Sequence, residues 1–165
     1  MRKADLSRRF GFLLHDVARL YGKKFEQRVR SLGVTRAQCR VMAYLLLDQG
    51  INQAGLAELL EIEPISLVRL LDRMEEAGLV ERRADPADRR ARCLYLTPKA
   101  EPMLDKVLAL ADRYEAEMCA ELSADEKRSF LALLQKLHLR LVDRDGPPER
   151  SEALVAADGP KRSKR

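Results

Sequence analysis

The chain has 165 residues, of which 46% are hydrophobic, 35% charged and only 5% aromatic, with no Trp, a balance that suits a largely helical protein divided between leucine stripes and ion-paired solvent faces. A formal net charge of +5 invites an anionic partner, although where the charge sits matters more than its sum. Cys39, Cys93 and Cys119 form no CxxC pair, and neither a signal peptide nor a membrane-length apolar run is present, so a reduced cytoplasmic chain without a membrane partner is expected.

His15 and His138 are far apart and offer no zinc-type cluster. A phosphate-cradling glycine loop, a GxSxG elbow and an HExxH pair are all lacking, so neither metal nor cofactor is expected and the chain is read as a non-enzyme.

From about Asp5 to Ser31 the apolar residues Leu6, Phe10, Leu13, Leu14, Val17, Tyr21, Phe25 and Val29 recur at threes and fours, the spacing of one stripe on a long helix. Gly33 stops it. Thr35 to Gln38 has the form of a capping box and opens a second helix through about Leu47. Asn52 caps a third, which carries Leu56, Leu59 and Leu60.

The short gap EIEP leads to a fourth helix with Pro64 in its first turn, where a missing amide hydrogen costs nothing. A projection at about 100° per residue gathers Leu67, Leu70, Leu71 and Met74 on one side and Ser66, Arg69, Asp72, Arg73 and Glu76 on the other. Gly78 ends it.

Beyond Gly78 the period becomes nearly two, through LVERRA, the turn DPAD and RRARCLYL, which predicts a two-stranded hairpin with Leu94 and Leu96 on one face. Thr97-Pro98 starts a fifth helix to roughly Glu121, striped by Met103, Leu104, Val107, Leu108, Ala111, Tyr114 and Met118. A second capping box, Ser123 to Glu126, opens a sixth helix with Phe130, Leu131, Leu134, Leu137 and Leu141. Residues 146–165 have almost no large apolar side chains and five basic residues against three acidic ones, and read as a disordered basic tail.

The fold class is therefore all-α with a small β-hairpin wing, a winged helix-turn-helix. A helix fills the major groove when one side anchors it and the other meets base edges and phosphates. The fourth helix has both sides. By itself its polar face also reads as a solvated surface with i, i+3 and i, i+4 pairs; the hairpin tips the balance toward DNA. Between Arg82 and Arg92 it carries Arg82, Arg83, Arg89, Arg90 and Arg92 against Asp85 and Asp88. Exposed like charges repel, and duplex DNA is the anion that relieves them. An arginine on such a loop can enter a narrow minor groove, and Asp88 can aim Arg90 by a forked ion pair.

The run from Leu56 to Pro102, LAELLEIEPISLVRLLDRMEEAGLVERRADPADRRARCLYLTPKAEP, resembles the winged-helix core of the MarR family, and SLVRLLDRMEEAGLV followed by DRRAR and LTPKAEP is similar to its SlyA-like branch. The resemblance extends from about Ser7 to Leu141. It implies a domain over 1–145, with a DNA-reading lobe at about 51–96 and dimerisation helices at about 5–32 and 98–143. The N- and C-terminal helices would form a dimerisation lobe. It further implies a homodimeric, nucleoid-associated transcriptional regulator on a pseudo-palindromic site, its half-sites on the order of 10 base pairs apart. By matching positions, the DNA contacts fall on Ser66, Leu67, Arg69 and Arg73 and on the wing residues Asp88, Arg89 and Arg90, with Asp88 orienting Arg90 and Arg89 on phosphate. A small phenolic or carboxylate effector is also implied, with His15, Arg19 and Gln38 as lining candidates. No cysteine near the start of the first helix supports oxidant sensing.

Independently, the first, fifth and sixth helices carry more apolar surface than a small core can cover, which favours a twofold dimer. A winged-helix protein-interaction module without DNA binding is the other reading that the residues leave open.

Overall fold

In the computed structural model, residues 7–85 and 91–145 are described. Six α-helices and one antiparallel hairpin follow in order: α1 (Phe10–Val29), α2 (Arg36–Leu47), α3 (Gln53–Leu60), α4 (Pro64–Glu76), β1 (Val80–Ala84), β2 (Arg92–Leu96), α5 (Glu101–Met118) and α6 (Ala124–Asp145). Short 3-10 turns, Arg30–Leu32 and Pro98–Ala100, finish α1 and precede α5. The chain divides into two compact units, one through Tyr114 and one from Glu115. Among the described residues no helix is long and apolar enough to cross a membrane.

The expected helix punctuation is present in atomic detail. The Thr35 hydroxyl accepts from the Gln38 N–H at 3.2 Å while Gln38 Oε1 accepts from the Thr35 N–H at 2.8 Å, which satisfies two amides that a helix start leaves open. Asn52 caps α3 by accepting from the Gly55 N–H at 2.8 Å. At α6 the Ser123 N–H donates to Glu126 Oε2 at 2.8 Å and the Glu126 N–H returns to Ser123 Oγ at 3.3 Å. These Ser123 contacts, side chain first and backbone second, hold the Glu126 carboxyl below its ordinary 4.5.

Gly78 ends α4 with φ 70°. Its N–H bonds the Glu75 carbonyl, and the Leu79 N–H reaches back to Met74, the paired closure that a left-handed residue permits. Thr97 Oγ1 donates to the Gly78 carbonyl at 2.5 Å, which ties the start of α5 to the end of α4.

The core of the first unit draws on every one of its elements. Val29 of α1, Val41, Met42 and Leu45 of α2, Leu56 and Leu60 of α3, and Leu67, Leu70, Leu71 and Met74 of α4 are buried with Val80 and Leu94 of the hairpin. From α5, Leu104, Val107 and Leu110 join them. Here the expected stripe needs correction: Leu110 is buried, while Leu108 and Met118 are exposed. The helix turns its inner line through 104, 107, 110 and 114, with Met103 half-buried beside it, while 108 and 118 fall on the outer side.

Two other helices bury less than their sequences suggest. The C-terminal half of α1 packs inward at Val29, with Phe25 half-buried against the core, but Phe10, Leu13, Leu14 and Val17 of the same stripe are exposed. On α6, none of the described side chains is buried, and Phe130, Leu131, Leu133, Leu137 and Leu141 are all exposed.

The hairpin pairs Val80 with Leu96, Arg82 with Leu94 and Ala84 with Arg92. Its other edge is also occupied, because the Gly50 N–H donates to the Leu94 carbonyl at 2.8 Å and the Leu94 N–H to the Ile51 carbonyl at 3.0 Å. An isolated bridge joins Asn52 to Cys93. The chain just before α3 therefore bridges the outer edge of β2 and fixes the hairpin to the helix pair beside it.

Candidate nucleic-acid interface

The helix pair α3 and α4 is joined through Glu61, which adopts the left-handed conformation at φ 54°. The Ile62 N–H closes back on the Ala57 carbonyl at 3.1 Å, and from α2 the Arg40 guanidinium donates to the Leu60 carbonyl at 3.2 Å. Arg40 thus places a positive charge on the negative end of α3 and satisfies a terminal carbonyl. No local pattern marks this contact, since the partners lie 20 residues apart.

On α4, Leu67, Leu70, Leu71 and Met74 are buried and Ser66, Arg69, Asp72, Arg73 and Glu76 are exposed. Neither Arg69 nor Arg73 makes an ion pair among the described residues. Within α4, no i, i+3 or i, i+4 pair consumes this face among those residues, so the simple picture of a self-neutralised surface does not apply.

Leu67 is the correction on this helix. Its side chain is 1% exposed and sits in the core, so it anchors the helix and cannot reach a base. Ile65 was missed. It is 61% exposed and lies four residues before Arg69, on the same exposed face. An apolar group at such a place is of the kind that meets a thymine methyl in the major groove; its signal in the sequence is an isoleucine standing on the polar side of the projection.

The hairpin arginines divide into different roles. Arg82 does not project: its side chain is 17% exposed and pairs with Asp72 at 2.7 Å and Glu75 at 2.5 Å, both on α4. Arg83 lies over the Tyr95 ring at 4.2 Å and pairs with Glu81. The gathering of like charge that the sequence presents is thus partly neutralised at the base of the hairpin. Residues 86–90, with Asp88, Arg89 and Arg90 and most of the expected DPAD turn, lie outside the described residues, as do residues 146–165. Across the hairpin the Asp85 N–H donates to the Ala91 carbonyl at 3.3 Å. Cys93 Sγ donates to Asp85 Oδ2 at 3.5 Å, and burial, then the Asp85 carboxylate, push its thiol pKa up.

Each of the three effector candidates has its own local setting. Gln38 Oε1 is engaged by Thr35 in the α2 cap, Arg19 pairs with Asp16 one turn earlier, and His15 is exposed. Aromatic groups gather elsewhere: Tyr21, Phe25 and Tyr114 stack with centroids 5.0 to 6.3 Å apart, and the Arg28 guanidinium lies 4.2 Å over Tyr114. Beside them Gly22 lets the Arg36 side chain cross α1, since a Cβ there would stand 2.2 Å from its guanidinium. Cys39 is buried, and desolvation followed by the Glu26 charge raises its thiol pKa to about 11, which leaves it a small core residue.

Residues 32–91 match the model of the MarR family. Over the fold, the chain is similar to MarR in a crystal structure, at 25% identity and TM-score 0.77, covering 87% of this chain and 96% of that one. It is also similar to the transcriptional repressor CouR bound to a 23-mer DNA duplex, at 29% identity and TM-score 0.71, covering 84% and 98%. A mutant MarR from E. coli complexed with operator DNA aligns at 27% identity and TM-score 0.65, covering 77% and 91%.

Proposed function

Taking as premise a chain that is MarR-like over residues 32–91 and has the MarR winged-helix fold, we propose that it is a DNA-binding transcriptional regulator, working as a homodimer on a pseudo-palindromic duplex site. The observation that carries this reading is α4, which is locked in place by four buried apolar side chains and offers Ser66, Arg69 and Arg73 on one open face. A helix so anchored can enter a major groove without giving up its own packing. Two of its solved relatives, CouR and the E. coli MarR variant, carry DNA in their structures, which supports the same reading here. On the run SLVRLLDRMEEAGLV we assign the chain to the SlyA-like branch.

Arg69 and Arg73 supply forked donors of the kind that read guanine, Ser66 a hydroxyl for either base or phosphate, and Arg89 and Arg90, aimed by Asp88, the wing contacts. Dimerisation is supported by the two unburied apolar stripes, one on the N-terminal half of α1 and one on α6, since apolar surface on that scale marks an association face. A small phenolic or carboxylate effector belongs to the same reading. Its support is the stacked group Tyr21, Phe25 and Tyr114 near Arg28 and Arg36, chemistry suited to an aromatic acid, with His15, Arg19 and Gln38 as the polar candidates that the sequence offers.

Selection of duplexes from random sequence by the full-length protein, followed by a gel-shift titration, tests the function. Enrichment of a pseudo-palindrome that Arg69→Ala and Arg73→Ala each weaken is the expected result. Absence of any enriched duplex, with the folded protein intact, would falsify the reading and leave the protein-interaction module in its place.

A further inference from the structure

The half-buried hairpin arginine has an arrangement that a groove contact does not need. Arg82 stands on β1 opposite Leu94. Its Nη2 donates to Asp72 Oδ1 at 2.7 Å and to the Val68 carbonyl at 3.4 Å, and its Nη1 donates to Glu75 Oε2 at 2.5 Å. The backbone N–H of the same residue donates to Glu75 Oε1 at 3.2 Å. All these acceptors lie on α4 at 68, 72 and 75, spaced by four and three, so one planar fork grips successive turns of the helix that carries Ser66, Arg69 and Arg73. Its Nε is buried without an acceptor among the described residues.

We propose that Arg82 is a positioning residue for base reading. It sets the rotation of α4 against the hairpin, and it neutralises Asp72 and Glu75, two half-exposed carboxylates that border the face of Arg69 and Arg73. Without the fork, those carboxylates would oppose the phosphates that the neighbouring arginines approach. The inference rests on the DNA-binding reading, and it separates Arg82 from the wing arginines with which its sequence position groups it.

A phosphate contact and a positioning residue differ in what salt does. Each neutralised phosphate contributes about 0.9 to the slope of log affinity against log salt, whereas a residue that never touches the duplex leaves the slope alone and changes the ratio of specific to bulk affinity. The test compares wild type, Arg82→Met and the triple variant Arg82→Met/Asp72→Asn/Glu75→Gln on the selected duplex and on bulk competitor over a salt series. Circular dichroism melts of each accompany the series. The expected result is an unchanged slope, at least a tenfold loss of discrimination in Arg82→Met, and partial recovery in the triple variant. Arg82→Lys, which keeps the charge but lacks the fork, should lie between wild type and Arg82→Met, and it is the deciding variant if Arg82→Met does not fold.

A slope lower by about 0.9 with discrimination intact identifies Arg82 as a phosphate contact and overturns the inference. So does full discrimination in Arg82→Met, or in Arg82→Lys when Arg82→Met cannot be read. If the wild type itself discriminates no duplex, the functional reading fails and takes this inference with it. A wild type that discriminates alongside a fully discriminating variant fails this inference alone.

Discussion

At the scale of single residues, the chemistry of recognition is concentrated in side chains that the structure leaves without intramolecular work. Arg69 and Arg73 are exposed and unpaired among the described residues, in contrast to Arg82, whose charge is spent within the chain. Replacing Arg69 or Arg73 by Ala should cost about 1 to 3 kcal/mol on the preferred duplex and little on bulk DNA if the contact is a forked one to guanine; parallel titrations on both duplexes check this, and an equal loss on both would reassign the residue to phosphate. Ile65→Ala should lower preference at a thymine while leaving the salt slope unchanged, which duplexes carrying uracil in place of thymine would reveal. Cys39 is the opposite kind of residue. With its thiol at about 11 and its side chain buried, it should resist alkylation at pH 8 in the native protein and react once the chain is unfolded, as mass spectrometry of iodoacetamide-treated samples can report.

Among the elements, the helix starts and stops were the part of the fold most open to reading from sequence. Thr35 with Gln38, Asn52, Ser123 with Glu126, and Gly78 all act within a few residues of themselves, so local chemistry determines them. Thr35→Ala should lose about 1 kcal/mol through the opened cap, and Gly78→Ala roughly 1 to 2 kcal/mol through the left-handed backbone, both measurable by urea unfolding. At α6 the depressed Glu126 pKa carries a sign. Ionised Glu126 favours the folded state above its unfolded pKa, and that advantage disappears as pH falls through the lower folded pKa. The stability difference between wild type and Ser123→Ala should therefore shrink as pH falls below about 4.5, and a difference that grows instead would remove the cap from the explanation. What the sequence did not reveal are contacts across elements. Arg82 to Asp72, Arg40 to Leu60 and Gly50 to Leu94 join residues 10, 20 and 44 positions apart, and no periodicity encodes them. Leu67 illustrates the cost of transfer by resemblance, because its own place on the apolar side of α4 already marked it as core.

Taken as a whole, the molecule divides its apolar surface unevenly. The first unit closes a core around α4 and the hairpin, while α6 has no buried side chain among those described and the start of α1 presents Phe10, Leu13 and Val17 to solvent. A twofold partner covers such stripes by repeating them. Leu137→Glu, at the middle of the α6 stripe, should weaken dimerisation more than tenfold, since burying one leucine is worth about 1.5 to 3 kcal/mol and symmetry counts it twice. The same change should leave the thermal unfolding of the first unit unchanged. The proposed function requires one arrangement, in which two chains read one duplex through paired copies of α4. Sedimentation velocity of the full-length protein with its selected duplex, followed at the DNA absorbance, measures that arrangement directly. Two chains per duplex, displaced only by the same sequence, is the predicted result; one chain per duplex, or equal displacement by any DNA, would contradict it.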